Sequence, residues 1–463
     1  MSTKLKNRFT YGYNEADFKK FMRLAWTVLL SFGLMYMFFY NGRQNINLVK
    51  NDIAGFYGFF KWDAEKAKMV PDSHGISLIT QSLFWSYALG QLVNGRIGSA
   101  VGCKRYMTIG VIISCVCNVA ISFVSEMWQF AVLWGVNGFA QSMVWSNGLE
   151  VLNRWWPKKR RGFSSGLATA FSGVGQVVTY FSVMLSQKIQ HVQEGDYEAS
   201  WRAAFNYPII PLVIALVAFI ILFKERPEKA GLAPFEEEDK EAAERDAALI
   251  ADVKSKGFFY PYKKLFSEPK FIVFCFISAI AGIGRYGLLN WMPTYFDEVH
   301  GAGVDDMFKY IALPIGQACA MFVFPFITDK VFKGKREPML ALAAIATFIS
   351  LLVFPFITDE TLMSVMLFVV GVFSMVTGVI WAIAGDIGGR AFAATVVGTL
   401  DCAVYMGAAL QEGVFGNFGK MGTVDLGFIT LRGWDLGFIT IGALYLVLLA
   451  LTLVARKMKL KNL

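Results

Sequence analysis

Apolar stretches of about 20 residues, the length that crosses a bilayer as a helix, recur along this chain of 463 residues. They run near 21–49, 76–97, 106–125, 127–152, 163–186 and 203–223, and again near 271–296, 308–328, 338–357, 361–384, 392–412 and 434–455. Between the sixth and seventh the pattern breaks: "KERPEKAGLAPFEEEDKEAAERDAALIADVKSK" is rich in Glu, Ala and Lys and reads as a polar, partly helical linker. The pattern predicts an all-α integral membrane protein of twelve transmembrane helices. It divides into an amino-terminal six-helix half (1–223), a linker (224–270) and a carboxy-terminal six-helix half (271–463).

Composition agrees, with 55% hydrophobic and only 17% charged residues. The net charge of +9 could point to nucleic acid, but its placement reads as topology and no nucleic-acid partner is expected. Lys and Arg gather at Lys19, Lys20 and Arg23, at Arg96, Lys104 and Arg105, at Arg154 and 158–161, at Lys330, Lys333, Lys335 and Arg336, and in the tail. These are alternate connections, while those near 126 and 359 carry none. The positive-inside rule then predicts a multi-pass protein of the cell membrane with both termini in the cytoplasm. The amino end, "MSTKLKNRFTYGYNEADFKKFMR", lacks a short apolar core before a small-residue cleavage site, so no cleaved signal peptide is expected.

The chemistry-bearing residues narrow the field. Five of the six cysteines fall in predicted spans without metal-type spacing and read as packing residues. All three histidines, His74, His191 and His300, fall in predicted outer loops, so a histidine relay inside the membrane is not expected. "GVFGNFGKM" has the wrong spacing for a phosphate-binding loop, and no triad or HExxH pattern occurs. Neither an enzyme, a metal site nor a cofactor is expected. "DLGFITLRGW" followed by "DLGFITIGAL" is a short tandem duplication expected to lengthen an outer loop.

One residue breaks the apolar rule. Arg285 is the only charged side chain between Lys270 and Asp297, roughly 22 Å and roughly 18 Å along a helix from those flanks. A lone arginine there costs about 2.5 to 3.5 kcal/mol on insertion scales. The first span echoes it: "NGRQNINL" (41–48) matches "IGRYGLLN" (283–290), each with a Gly-Arg pair. A parallel six-helix repeat resembles the layout of the major facilitator superfamily, whose halves flank a central cavity; that resemblance implies that the first helix of each half lines the cavity and that Arg43 and Arg285 face one another. Either each is neutralised by a fixed carboxylate, for which Asp401 is the candidate, or the pair forms an anion clamp. Two guanidinium forks on one point suit a phosphate, whose oxygens each can bind bidentately. Glu150 and Asp386, near span ends, are expected to pair with Arg154 and Arg390. Tyr40, Tyr87, Gln91, Gln141, Trp145, Tyr286, Trp291 and Tyr405 on neighbouring spans offer hydroxyls, amides and ring faces to the rest of a small polar substrate.

"FYNGRQNINLV", "GFAQSMVWSNG", "NRWWPKKRRG", "GRYGLLNWMPTYF", "TDKVFKGKRE" and "GWDLGF" resemble the organophosphate:phosphate antiporters of the major facilitator superfamily. The resemblance is to the bacterial glycerol-3-phosphate and hexose-phosphate transporters, and covers both halves apart from loops. It implies two phosphate-binding arginines at Arg43 and Arg285, and cavity aromatics at Tyr40, Tyr87 and Trp145. Where the glycerol-3-phosphate members carry a cavity lysine and histidine, this chain has Gln91 and Ser172, and where they carry a small residue it has Asp401. Their Asp-Arg after the second span is Ser99-Ala100 here, while the second copy keeps Asp329-Lys330. Losing a lysine and gaining an aspartate fits a less anionic substrate, or one bearing an amine. The resemblance implies exchange of a small organic phosphate for inorganic phosphate by alternating access, in a monomer. A sugar-phosphate sensor acting on a kinase partner, or a proton-coupled organic-anion symporter in which Asp401 titrates, are the other readings.

Overall fold

A computed structural model describes residues 13–63, 68–233, 240–302, 304–388, 392–425, 427 and 429–459. The first half comprises α1 (Glu15–Phe39), α2 (Lys50–Phe56), α3 (Ser77–Val101), α4 (Cys103–Ile121), α5 (Met127–Ser142), α6 (Trp145–Trp155), α7 (Lys158–Ile189), α8 (Tyr197–Ala203) and α9 (Ile210–Leu222). The linker holds α10 (Lys240–Ser255) and α11 (Tyr260–Phe266). The second half comprises α12 (Pro269–His300), α13 (Ala312–Lys330), α14 (Glu337–Val353), α15 (Glu360–Ser374), α16 (Thr377–Gly388), α17 (Ala393–Phe415) and α18 (Gly433–Lys457). Two antiparallel hairpins, β1 (Phe60–Asp63) with β2 (Lys68–Pro71) and β3 (Thr423–Asp425) with β4 (Thr430–Arg432), cap the end of the bundle opposite the linker.

Every predicted span has its helix. Among the described residues eight spans are long and apolar enough to cross a membrane unaided. The other four are α3, the broken pair α5–α6, α13 and α17, the last two of which include side chains outside the described residues. Helix α3 packs along α17 and α13 along α7 where the halves meet. Apolar side chains such as Leu89, Val116, Ile214 and Val414 face outward, as a surface solvated by acyl chains requires.

Small residues let the helices close on one another. A Cβ at Gly282 of α12 would lie 2.0 Å from the Val404 carbonyl oxygen of α17, and one at Gly407 would lie 2.0 Å from that of Ala279. This reciprocal pair brings two backbones together without side chains between them, the usual means of helix contact in membranes.

Two expectations change. The stretch 21–49 is not one helix: α1 stops at Phe39, and Tyr40–Gly42 and Asn45–Leu48 continue as 3₁₀ turns. The duplication does not simply lengthen a loop. Its first copy, beginning at Asp425, turns a hairpin, with the Asp425 carboxylate accepting from Gly427 N–H at φ +82°. The second copy, from Asp435, opens α18, with Asp435 accepting from Arg432 N–H. Trp434, just before the second copy, packs against Trp291, Phe415 and Tyr295. Glu150 pairs with Arg154 as expected, and Asp386 pairs with Arg336 at 3.2 Å; Arg390, the partner expected for Asp386, and the Asp329 side chain lie outside the described residues. At the linker end Glu225 ties Cys103 N–H, Arg154 and Lys229 together. Burial pushes its carboxyl up, but hydrogen bonds from Lys229 and Arg154 outweigh it and hold the group below its ordinary value.

Candidate functional site

The break in the first helix is where its arginine sits. An α-helix that stops in the membrane leaves carbonyls without partners, and here neighbouring helices supply them. Asn118 and Asn137 side-chain amides donate to the Gly42 carbonyl at 3.1 and 2.8 Å, and Gln141 donates to that of Phe39 at 3.3 Å. Asn45 and Asn41 reach the carbonyls of Ala204 and Pro208 at 2.9 and 2.8 Å. With its backbone so held, Arg43 leaves the helical path at φ −145° and turns its side chain to the middle of the bundle.

Arg285 comes to the same place from an unbroken 32-residue helix. Tyrosines join the two. Arg43 donates to the Tyr405 hydroxyl at 2.8 Å and to that of Tyr36 at 3.5 Å, and lies 3.9 Å from the Tyr40 ring centre. Arg285 donates to the Tyr40 hydroxyl at 3.4 Å and lies 4.9 Å from the Tyr286 ring. Tyr286 donates to Tyr405 at 2.8 Å, and Tyr87 stacks on Tyr405 with centroids 3.7 Å apart. The guanidiniums are 5% and 6% exposed, and the Nε of each is buried without a partner.

No carboxylate among the described residues neutralises either arginine. Phenol hydroxyls and ring faces orient a guanidinium and attract it, but they bring no formal negative charge. Asp401 lines the same cavity, yet forms no hydrogen bond or ion pair with any described residue. The expected alternative, in which a fixed carboxylate holds each arginine, is therefore not what the side chains do. Asp401 acts on both guanidiniums through space without bonding to either, and Arg285 borders a small cavity beside it.

The wall of that cavity includes Tyr40, Tyr87, Trp145, Ser172, Arg285, Asp401 and Tyr405. Arg43 reaches it through Tyr405, and Tyr286 stands one layer behind. Gln141 does not reach it, being occupied with the broken helix and with Ser114 at 2.9 Å. Gln91 also lies off the wall, accepting from Ser146 at 3.0 Å. Trp291 is away from the cavity and donates to Gln411 at 3.0 Å. Tyr36, Thr169, Met321 and Trp381, which the sequence pattern does not single out, complete the wall. Tyr36 was legible: it lies one helical turn before Tyr40 and two before Arg43, on the same face.

Toward the hairpin end the cavity is sealed by a second constellation. Lys50 and Glu412 form an ion pair at 2.8 Å with neither side chain exposed, and the ammonium sits 3.8 Å from the Trp291 ring centre. Asn290 and Gln411 amides donate to Glu412 at 2.7 and 3.0 Å, and Asn47 donates to Asn290 at 2.9 Å. Nearer the surface Lys61 pairs with Glu298 at 2.9 Å and Lys420 with Asp72 at 2.8 Å. These three ion pairs between the halves lie at this end. Gly173 packs against Ala318 beside the cavity, and at the linker end Tyr262 of α11 donates to the Leu92 carbonyl.

A family profile described as Major Facilitator Superfamily matches residues 25–411. Among curated proteins, the chain is 23% identical over 349 residues to a probable hexose phosphate transport protein of Chlamydia pneumoniae, covering 72% of this chain and 71% of that one. It is 22% identical over 410 residues to a glycerol-3-phosphate transporter of Bacillus subtilis, covering 81% and 83%. Among solved structures, the proton:xylose symporter XylE superposes with a TM-score of 0.69 at 14% identity, covering 93% of this chain and 95% of that one. The match to XylE is one of fold alone.

Proposed function

The chain belongs to the Major Facilitator Superfamily and is a multi-pass membrane transporter rather than an enzyme; from that premise we propose that it exchanges a small phosphorylated organic anion for inorganic phosphate by alternating access. The observation that carries the reading is the pair of buried guanidiniums, one from each half, that meet in one tyrosine cluster, Arg285 on the cavity wall and Arg43 behind Tyr405, with no described carboxylate bonded to either. An anion with several oxygens supplies what tyrosines do not: formal negative charge, and acceptors for the free Nε–H groups. A tetrahedral phosphate can offer separate oxygens to two forks. The relatives named for sugar phosphate and glycerol-3-phosphate transport support that class.

Alternating access needs the two ends to open in turn. The state described here is locked at the hairpin end by Lys50–Glu412, Lys61–Glu298 and Lys420–Asp72. We place the linker and termini in the cytoplasm, since the basic connections lie on that side, so the lock faces outward. Anion binding between Arg43 and Arg285 draws the halves together at the centre and frees them to rock.

Purified protein in liposomes tests this. Labelled phosphate should enter only liposomes preloaded with phosphate or an organic phosphate, and entry should not depend on a proton gradient. Entry driven by a proton gradient into phosphate-free liposomes would contradict exchange. Binding without any entry would favour a sensor.

A further inference from the structure

Asp401 is left over once the guanidiniums have been given a phosphate. It is 4% exposed, it lines the cavity, and it neither accepts a hydrogen bond nor forms an ion pair among the described residues. A buried carboxylate in that position needs a cation or a proton. A phosphate monoester dianion cancels Arg43 and Arg285, and Asp401 then stands as one negative charge that no other wall residue offsets, since the wall holds neither lysine nor histidine. Beside it the wall is aromatic. Tyr87 stacks on Tyr405, and Tyr36 stacks on Trp145 with centroids 4.9 Å apart, with Trp381 also on the wall. Ring faces attract an ammonium as they attract a guanidinium.

We propose that the organic ligand is a zwitterion: a small phosphate ester or phosphonate carrying a protonated amine, with its oxyanion on Arg43 and Arg285 and its ammonium on Asp401 and the neighbouring ring faces. This rests on the reading of the site as one for phosphorylated anions and adds the class of the organic part. The charges then sum to zero, two from arginine and one from the amine against two from phosphate and one from Asp401. Exchange for inorganic phosphate is compatible, because phosphate can shift to its monoanion and leave Asp401 unopposed but neutralised overall.

The test is competition against labelled phosphate on the purified full chain, using 2-aminoethyl phosphate and ethyl phosphate, which differ only in the amine. The native protein should prefer the amine-bearing ester by about tenfold or more, the worth of one charge-assisted contact. In Asp401→Asn that preference should disappear, while inorganic phosphate binds more tightly than to the native protein because a like charge has gone. Equal or tighter binding of ethyl phosphate to the native protein, with phosphate itself bound, overturns the amine and leaves the phosphate reading standing. Failure of phosphate and both esters to bind overturns the phosphate reading, and the amine with it. Should Asp401→Asn not fold, the two esters on the native protein still decide.

Discussion

Arg43 and Arg285 hold matching places in two repeats, yet their backbones have little in common. Arg285 rides a continuous helix locked against α17 by Gly282 and Gly407, where a single added Cβ would collide with a carbonyl oxygen. Arg43 follows a helix that has come apart, and its position depends on side-chain amides from α4 and α5 that replace the missing helical hydrogen bonds. Seven residues on, Lys50 pins the same segment to Glu412 of the other half. One jaw is fixed by packing and the other is suspended from a polar network. The repeat thus preserves the charge and its depth rather than the helix beneath it. The suspended jaw is also the one tied to the seal between the halves, which makes the first helix the natural place for binding and gating to meet.

The largest effect should come from breaking the tether. Lys50→Met leaves Glu412 buried without its cation, and removing one partner of such a pair costs about 3–5 kcal/mol. The purified variant should unfold at a clearly lower temperature, whereas Lys50→Met with Glu412→Leu should regain most of the loss and open more readily at the hairpin end. Cysteine accessibility from that side would register the opening. A single variant as stable as the native protein would mean that the pair carries no weight.

Smaller effects should separate the two jaws. Asn137→Ala removes the shorter of two donors to the Gly42 carbonyl, leaving that from Asn118, at a cost of about 0.5–1.5 kcal/mol for one hydrogen bond. It should weaken phosphate binding by about tenfold through Arg43, leaving the packing of α12 intact. Gly282→Ala should instead lower stability by about 1–3 kcal/mol through overpacking. Its effect on binding should follow the displacement of α12. Thermal unfolding and phosphate titration on both variants check the contrast. If both change binding and stability in the same ratio, the two jaws are not held differently.

The smallest shift concerns selectivity. Gln91 and Ser172 stand where the resembling family carries a lysine and a histidine. Ser172 is on the wall, but Gln91 faces Ser146. Ser172→His should therefore move the ranking of a panel of phosphorylated metabolites more than Gln91→Lys, each by several-fold at about 1 kcal/mol. Glycerol 3-phosphate should be a poor ligand of the native protein. Its emergence as the tightest ligand by an order of magnitude would remove the significance of both positions.

The spans and the arginines were legible because the bilayer makes each costly to get wrong. About twenty apolar residues in a row match the thickness of the hydrocarbon layer, and a charge placed among them is too costly to be incidental. What was not legible lies in partnerships between distant segments. The end of α1 at Phe39 is decided by Asn118, Asn137 and Gln141 on other helices, so nothing within 21–49 announces it, and Gln141 reads as a ligand group when it is a backbone prop. Glu412 was readable as a carboxylate at the edge of an apolar span, and Lys50 as a nearby charge, but only the fold pairs them.

Whether one anion is held by both arginines at once is tested most directly by a double-mutant cycle. Phosphate affinity should be measured on the native protein, Arg43→Lys, Arg285→Lys and the double variant, with circular dichroism to confirm that each is folded. Lysine keeps the charge and loses the fork, so each single change should weaken binding by about tenfold to a hundredfold and stop exchange. If both forks grip one phosphate, the second change should cost far less than the first, giving a coupling energy well above about 0.5 kcal/mol. Losses that simply add, or a single variant that binds phosphate as the native protein does, would contradict the shared clamp.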